Sequence, residues 1–183
     1  ALGWPVLLAA LMLGGIITGR ERWLFVAVTA AMALASFSLM GLRGSGGAVW
    51  VLWLVLVVVA TDVAGYFVGR IVGGPLLWKR LSPKKTWSGA AGGWIAAACV
   101  GAIFATVTPG SGLVLVVVSV LASLASQAGD LTESALKRRA GVKDSSALLP
   151  GHGGVLDRFD GMLGAALFVL LADAVIGLPL GIE

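Results

Sequence analysis

Six long apolar runs separated by short polar segments dominate the chain. They cover roughly residues 4–19, 23–42, 48–69, 89–107, 111–129 and 161–180. A helix needs about 20 apolar residues to cross a hydrocarbon core that is ~30 Å thick. The runs are continuous rather than alternating, which disfavours a transmembrane β-barrel. The pattern therefore predicts an all-α integral membrane protein with about six transmembrane helices.

Basic residues are concentrated in three of the segments between these runs. Twelve of the 13 Lys and Arg residues lie within 20–22, 70–88 and 137–160, and only Arg43 lies elsewhere. Because Lys and Arg favour the cytoplasmic side of a membrane, we expect these three segments in the cytoplasm and both termini outside. Two of the three are long cytoplasmic loops. Function is therefore expected at the cytoplasmic face.

Composition agrees with a single transmembrane domain over residues 1–183. The chain is 58% hydrophobic with a mean hydropathy of +1.00, and its charged fraction of 12% is half the value of about 25% in soluble proteins. The net charge is +4, but the basic residues lie between membrane spans, so nucleic acid is not an expected partner. The single cysteine excludes an internal disulfide and a cysteine-based zinc cluster.

The densest polar stretch runs from Asp130 to Asp160. It contains five of the nine carboxylates, five of the 13 basic residues and the only histidine. If the fifth helix continues beyond the membrane, one of its faces carries Asp130, Ser134, Lys137 and Arg138. An amphipathic interfacial helix is the alternative reading of that face.

The end of the same stretch precedes the sixth run. Asp157 and Asp160 are three residues apart there, where carboxylates also serve as caps of a helix N-terminus. Glycines flank His152 on both sides, so backbone N–H groups in this turn can face an anion.

Two carboxylates lie inside apolar runs. Asp62 is eight residues before Arg70, or ~12 Å below the cytoplasmic end of its helix. Carboxylates are costly in a bilayer and therefore indicate a functional or a paired group. For Asp62 the alternative is an ion pair or hydrogen bond between helices. Asp173 lies in no motif, and both packing and function remain open for it.

This set of side chains suits the chemistry of phosphates. Carboxylates suit Mg²⁺, and Lys and Arg suit phosphate oxygens, which together indicate phosphoryl or nucleotidyl transfer. The sequence has no GxxxxGK[ST] loop, which excludes a P-loop site. One histidine and one distant cysteine support neither a hydrolytic triad nor a zinc site.

The polar stretch also has a recognisable order. Its 27 residues from Ser134 to Asp160, ending in PGHGGVLDRFD, closely resemble the signature of the phosphatidate cytidylyltransferase (CDP-diacylglycerol synthase) family. The stretches TDVAGYFVGR at 61–70 and SPKKTWSG at 82–89 resemble two further family motifs. The family often has Gly-Ala-Tyr where this chain has Ala-Gly-Tyr, and Glu or Gln at the position of Ser88. The resemblance covers about residues 50–180, and family members usually carry further N-terminal spans.

The resemblance implies the reaction of CTP with phosphatidic acid to give CDP-diacylglycerol and pyrophosphate. It implies one or two Mg²⁺ ions, with a monovalent cation as a further candidate, and a catalytic region within residues 60–160. The bacterial inner membrane is the expected location, with the site facing the cytoplasm, and a homodimer is a candidate assembly.

The resemblance also implies roles for individual residues. The expected metal ligands are Asp130, Asp157 and Asp160. The expected catalytic residues are Asp130, Asp157, Lys137 and Lys143. The expected substrate-binding residues are Asp62, Lys84, Lys85, Ser134, Arg138, His152, Gly153, Gly154 and Arg158.

Two other functions remain as alternatives. A CTP-dependent polyprenol or lipid kinase would use the same nucleotide but transfer the γ-phosphate and release CDP. An ion-coupled transporter, a different class, would use Asp62 and Asp173 as ion sites, but it is disfavoured because the charges gather at one face rather than along a path.

Overall fold

Five long helices and one short β-hairpin form the part of the protein that the computed structural model describes, which comprises residues 22–46, 48–79, 82–108, 112–142, 144–146, 154 and 156–178. The helices are α1 (Arg22–Gly46), α2 (Ala48–Ile71), α3 (Trp87–Val107), α4 (Gly112–Arg139) and α5 (Leu156–Ile176). The strands are β1 (Leu76–Trp78) and β2 (Ser82–Thr86), which pair antiparallel between α2 and α3. All five helices are long and apolar enough to cross a membrane.

Each helix corresponds to one of the predicted spans, from the second to the sixth. The first predicted span, 4–19, lies outside the described residues, so the count of six stays a prediction. The helices extend beyond the apolar runs where polar residues continue the helical pattern. Thus α4 runs ten residues past 129, and α5 begins five residues before 161. The hairpin was not predicted, because a strand of three residues leaves no clear alternation in the sequence.

The core lies where α2, α4 and α5 meet. Trp53 and Val57 of α2, Ala122 of α4 and Val169 of α5 are fully buried there. Helix α3 packs between α2 and α4, whereas α1 packs against α5 and α2. This arrangement places the polar end of α4 between α3 and α5.

Polar side chains of α4 link it to its neighbours inside the apolar region. The Trp53 indole N–H donates to Ser119 Oγ at 2.9 Å, and Thr61 Oγ1 donates to Ser123 Oγ at 2.7 Å. Hydrogen bonds between transmembrane helices contribute ~0.6 kcal/mol each on average. These contacts fix the rotation of α4 relative to α2, and hence the direction in which the residues beyond Gln127 face.

The described residues of the three basic segments lie at the same end of the helix bundle. The Arg139 guanidinium at the end of α4 lies 5.3 Å from the ring centroid of Trp23 at the start of α1. At the same end, Lys85 of β2 contacts Asp130. The side of the membrane to which this end belongs stays a prediction.

Asp173 has a structural role at the opposite end of α5. Its carboxylate accepts a hydrogen bond from Leu178 N at 3.0 Å, and its carbonyl accepts one from Gly177 N at 2.8 Å. Gly177 has φ +57, a conformation that favours glycine. The side chain therefore caps the C-terminus of the helix.

Candidate active site

Three carboxylates come together where α4 and α5 cross. Asp130 and Glu133 lie one helical turn apart on α4, and Asp160 lies in the first turns of α5. One oxygen atom from each lies within 4.8 Å of the others. We call these three residues the acidic triad.

Glycines make this crossing close enough to form the triad. A β-carbon on Gly129 would lie 2.5 Å from the backbone oxygen of Asp160, and one on Gly161 would lie 2.7 Å from Ser126 Oγ. Such distances leave no room for a side chain, so the helix backbones are in direct contact. The contact brings Asp160 onto the face of α4 that carries the other two carboxylates.

Glu133 is the buried member of the triad. The residue is only 6% exposed, and Lys137 Nζ lies 2.7 Å from its Oε2. Neither of its carboxylate oxygens receives a hydrogen bond of good geometry from the part of the chain that the structure describes. A buried carboxylate with so little compensation is costly unless a further cation or donor binds it.

Two lysines flank the triad from different sides. Lys85 contacts Asp130 from the hairpin, and Lys137 bridges Glu133 and Asp157, with a distance of 2.9 Å to Asp157 Oδ1. When all groups are ionised, the triad, Asp157 and the two lysines have a formal charge of minus two. A single divalent cation would balance that charge.

Asp157 lies beside the triad but outside it. Its Oδ2 accepts a hydrogen bond from Gly154 N at 2.6 Å, and both of its oxygens accept from Ser145 N, at 3.1 and 3.0 Å. Together with Lys137, these donors occupy the carboxylate. Asp157 therefore links Ser145 and Gly154 to the start of α5, and its metal contact stays a prediction.

The other residues predicted in this region are placed as follows. Ser134 Oγ is at the limit of a hydrogen bond to Asp130 Oδ1, at 3.5 Å. Arg138 and Arg158 are exposed, and the N–H of Gly154 is used by Asp157. Three predicted residues lie outside the described part of the chain: Lys143, His152 and Gly153.

A cavity of about 550 Å³ opens beside the triad, between α2, the hairpin and α3. Asp62 lines it, as do Lys84 and Lys85, so the structure brings these three predicted residues together. Lys85 also contacts Asp130, which places the cavity next to the triad. The cavity is large enough for part of a nucleotide or a lipid headgroup.

Helix α3 starts at the wall of this cavity, and its start is fixed locally. Thr86 Oγ1 accepts a hydrogen bond from Gly89 N at 3.1 Å and so caps the helix. A β-carbon on Gly89 would lie 2.6 Å from the carbonyl oxygen of Gly65. The close approach of α2 and α3 holds Asp62 and the hairpin lysines against the same space.

Three residues of the site were missed from the sequence. Glu133 could have been predicted from the sequence, because it lies three residues after Asp130 and four before Lys137, which are neighbouring positions on a helix surface. Gln127 and Arg70 also line the cavity. The amide of Gln127 is held there, since Trp94 Nε1 donates to its Oε1 at 3.1 Å. Arg70 ends the family motif at 61–70, and Gln127 lies one helical turn before Asp130, although neither was itself assigned a role.

The triad fits a hard divalent cation. It offers three oxygen ligands, which Mg²⁺ prefers, and a buried carboxylate that lacks well-aligned donors. The flanking lysines leave the negative charge only partly balanced. The residues present therefore fit a magnesium ion, which commonly works together with phosphate substrates.

Comparison with known proteins decides the family. The model of the cytidylyltransferase family matches residues 4–175, which is nearly the whole chain. The chain belongs to the cytidylyltransferase family. This agrees with the resemblance carried by the sequence motifs.

Individual relatives within the family carry a consistent name. The phosphatidate cytidylyltransferase of Brucella suis biovar 1 (strain 1330) is 48% identical over 149 residues, which are 79% of this chain and 55% of that protein. The phosphatidate cytidylyltransferase of Mycobacterium bovis (strain ATCC BAA-935 / AF2122/97) is 38% identical over 158 residues, which are 84% of this chain and 50% of that protein.

A third relative extends the comparison to another group of bacteria. The phosphatidate cytidylyltransferase of Bacillus subtilis (strain 168) is 44% identical over 119 residues, which are 64% of this chain and 44% of that protein. The chain thus spans about half the length of the curated relatives it matches.

Proposed function

We propose that this cytidylyltransferase-family chain transfers the CMP moiety of CTP to phosphatidic acid, giving CDP-diacylglycerol and pyrophosphate for phospholipid biosynthesis. The observation that carries the proposal is the acidic triad, with its buried Glu133, beside a cavity lined by lysines at one end of a transmembrane bundle. Such a site offers both metal ligands and phosphate ligands at the surface where a lipid and a soluble nucleotide can meet.

In this proposal Asp130, Glu133 and Asp160 hold Mg²⁺. When bound, the ion supplies charge neutralisation and a template for phosphate oxygens. Asp157 remains a predicted ligand, but it would have to exchange its contacts to Lys137 or the backbone amides for a metal contact. A second Mg²⁺ ion and a monovalent cation also remain predictions.

The protein's own groups account for binding and orientation. Lys84 and Lys85 line the cavity and would bind phosphate oxygens of CTP or of the lipid. Lys137 would stabilise the carboxylates of Glu133 and Asp157 and add positive charge near the leaving pyrophosphate. We retain Lys143, His152 and Gly153 as proposed ligands of phosphate groups.

The bond changes need little proton transfer. A phosphate oxygen of phosphatidic acid forms a bond to the α-phosphorus of CTP, and the bond from that phosphorus to the bridging oxygen of the β-phosphate breaks. The bond electrons leave with pyrophosphate. The attacking oxygen is already anionic, so no strong general base is required. The lipid would reach the site from the bilayer, between the helices.

The cellular setting follows from the family and the charge distribution. We propose that the site faces the cytoplasm at the bacterial inner membrane, because the basic segments gather at its end of the bundle. The catalytic region lies within residues 60–160 in this proposal, and a homodimer is the proposed assembly.

Incubation of the protein in nanodiscs with phosphatidic acid, Mg²⁺ and CTP labelled at the α-phosphorus tests this function. With phosphatidic acid we expect the label to appear in CDP-lipid and pyrophosphate to be released. With diacylglycerol in place of phosphatidic acid, we expect neither labelled CDP-lipid nor pyrophosphate. Label recovered as CDP, with phosphate transferred from the γ-position, would instead identify a lipid kinase. An absence of any CTP-dependent product would refute both enzymes.

A further inference from the structure

The segment between α2 and α3 carries positive charge without any acidic residue. Five basic residues lie within 70–88, and the sequence has no Asp or Glu between Asp62 and Asp130. Lys85 faces inward to Asp130, whereas Arg70, Lys79 and Lys84 are exposed. Arg70 and Lys84 line the cavity, whereas Lys79 is exposed outside it and can face an anionic partner at the surface.

The same segment exposes large apolar side chains. The exposed fractions are 80% for Ile71, 68% for Val72, 55% for Trp78 and 52% for Trp87. We call these four residues together with Lys79 the hairpin surface. Tryptophan beside lysine at the end of a transmembrane helix is the combination that membrane interfaces favour. In water, exposed apolar groups this close together along the chain would be unfavourable.

Hydrogen bonds join the beginning of the hairpin segment to the start of α3. Gly73 and Gly74 have φ +64 and +109, which lets the chain turn sharply after α2. Trp87 N donates to the carbonyl oxygen of Pro75 at 3.1 Å, and Ser88 Oγ donates to that of Gly73. Since both ends of the segment adjoin transmembrane helices, the hairpin lies close to the headgroup region.

The hairpin presents different residues on its two faces. Leu77 lines the cavity, while its neighbours Leu76 and Trp78 are exposed, as the alternation of a strand requires. The hairpin therefore separates the cavity from the surface that carries the exposed tryptophan. A lipid bound to that surface would lie next to the cavity mouth.

We propose that the hairpin surface lies in the membrane interface and binds the headgroups of anionic phospholipids of the surrounding bilayer. The tryptophans and Ile71 enter the boundary between headgroups and acyl chains, and Lys79 binds lipid phosphate oxygens. Basic residues near an anionic membrane are attracted to its surface. If the proposed function holds, this surface also enriches phosphatidic acid beside the site. The binding itself does not depend on that function.

Quenching of Trp78 by brominated lipids tests the proposal without any measurement of activity. The protein is placed in two nanodisc preparations of identical composition, phosphatidylglycerol in phosphatidylcholine, which differ only in which lipid carries bromine. The signal of Trp78 is the emission of the wild type minus that of Trp78→Phe. We expect stronger quenching, per brominated lipid, when phosphatidylglycerol carries the bromine.

Matched charge variants identify the groups responsible. Lys79→Gln should lower the preference for the anionic lipid by up to about fivefold, the factor that corresponds to ~1 kcal/mol. Arg43→Gln removes the same charge at the opposite end of α1 and should leave the preference unchanged. A loss of the preference in both variants would overturn the role of Lys79.

Three further outcomes would overturn the proposal. Equal quenching by both lipids would show membrane contact without selection for anionic headgroups. An absence of quenching by either lipid would show that protein or water covers the hairpin surface. A preference seen with phosphatidic acid but not with phosphatidylglycerol would assign the surface to the substrate alone.

Discussion

Gly129 of α4 and Gly164 of α5 are in backbone contact: a β-carbon on Gly129 would lie 3.1 Å from the α-carbon of Gly164. Asp130 follows Gly129 directly, and Asp160 lies one helical turn before Gly164. The acidic triad therefore depends on the closeness of two helix backbones. In a membrane, where small residues permit such contacts, this crossing is what brings distant carboxylates together.

Gly129→Ala is expected to separate α4 from α5. The added methyl group has no space, and overpacking of this kind costs ~1–3 kcal/mol. We expect a lower melting temperature in detergent and a higher Mg²⁺ concentration for half-maximal activity. Gly44→Ala is the control and should leave both values unchanged, because an added β-carbon there meets no atom of another described element within 4 Å. A normal Mg²⁺ requirement in Gly129→Ala would contradict the link between the crossing and the triad.

Glu133→Gln should abolish most of the metal-dependent activity. The substitution keeps the shape but removes the negative charge of the buried carboxylate. A loss of about 100-fold in kcat corresponds to ~2.7 kcal/mol at 1.36 kcal/mol per tenfold. Activity measured over a range of Mg²⁺ concentrations checks this expectation.

Asp173→Asn is the matched control for that variant, because it makes the same chemical change at the other end of α5 and retains an oxygen that can accept from Leu178 N. It should retain activity. If Glu133→Gln retained activity as well, Glu133 would have no role in binding the metal.

Asp157→Asn should loosen the segment before α5. In the wild type, the negative charge of Asp157 pairs with Lys137 and accepts hydrogen bonds from the amides of Ser145 and Gly154. The variant loses that charge. We expect amide hydrogen exchange at these two residues to rise roughly tenfold, because hydrogen bonds to a charged group contribute ~1.5–3 kcal/mol. CDP-diacylglycerol formation should fall as well.

Asp160→Asn separates the two roles of the acidic residues. It changes a member of the triad but leaves the partners of Asp157 in place, so the amides of Ser145 and Gly154 should remain protected. Unchanged exchange in Asp157→Asn together with lost activity would favour the metal contact that the sequence predicts for Asp157.

Lys85→Gln should weaken the binding of CTP. Lys85 lines the cavity and contacts the triad, and removal of one charged hydrogen bond is expected to raise KM for CTP roughly 10- to 100-fold. Steady-state kinetics at saturating Mg²⁺ measures this effect, with Arg43→Gln as the control for loss of charge. An unchanged KM with a changed Mg²⁺ requirement would mean that Lys85 acts only by positioning Asp130.

The sequence alone predicted which types of residue form the site, but it did not predict which of these residues contact one another. Asp130 and Asp160 were predicted as metal ligands, and the structure brings them together with Glu133. The resemblance placed Asp157 in the same set. In the structure its carboxylate accepts from Ser145 N and Gly154 N and lies beside Lys137, and its metal contact stays a prediction.

The hairpin illustrates a different limit. Strands of three and five residues between two helices have too few positions for a periodic signal, and one of them contains a proline. Leu76 pairs antiparallel with Thr86, five residues after the end of α2 and directly before the start of α3. That pairing in turn directs Leu77 and Lys85 toward the cavity.

The sequence by itself determined the membrane spans that the structure describes, the gathering of basic residues at one end of the bundle and the family. These properties depend on local composition and on motifs that are continuous along the chain. Only the tertiary structure decided which carboxylates meet, that Glu133 is buried among them and that Asp173 caps a helix. Such contacts depend on which small residues of distant helices face each other, and no stretch of the sequence contains that information alone.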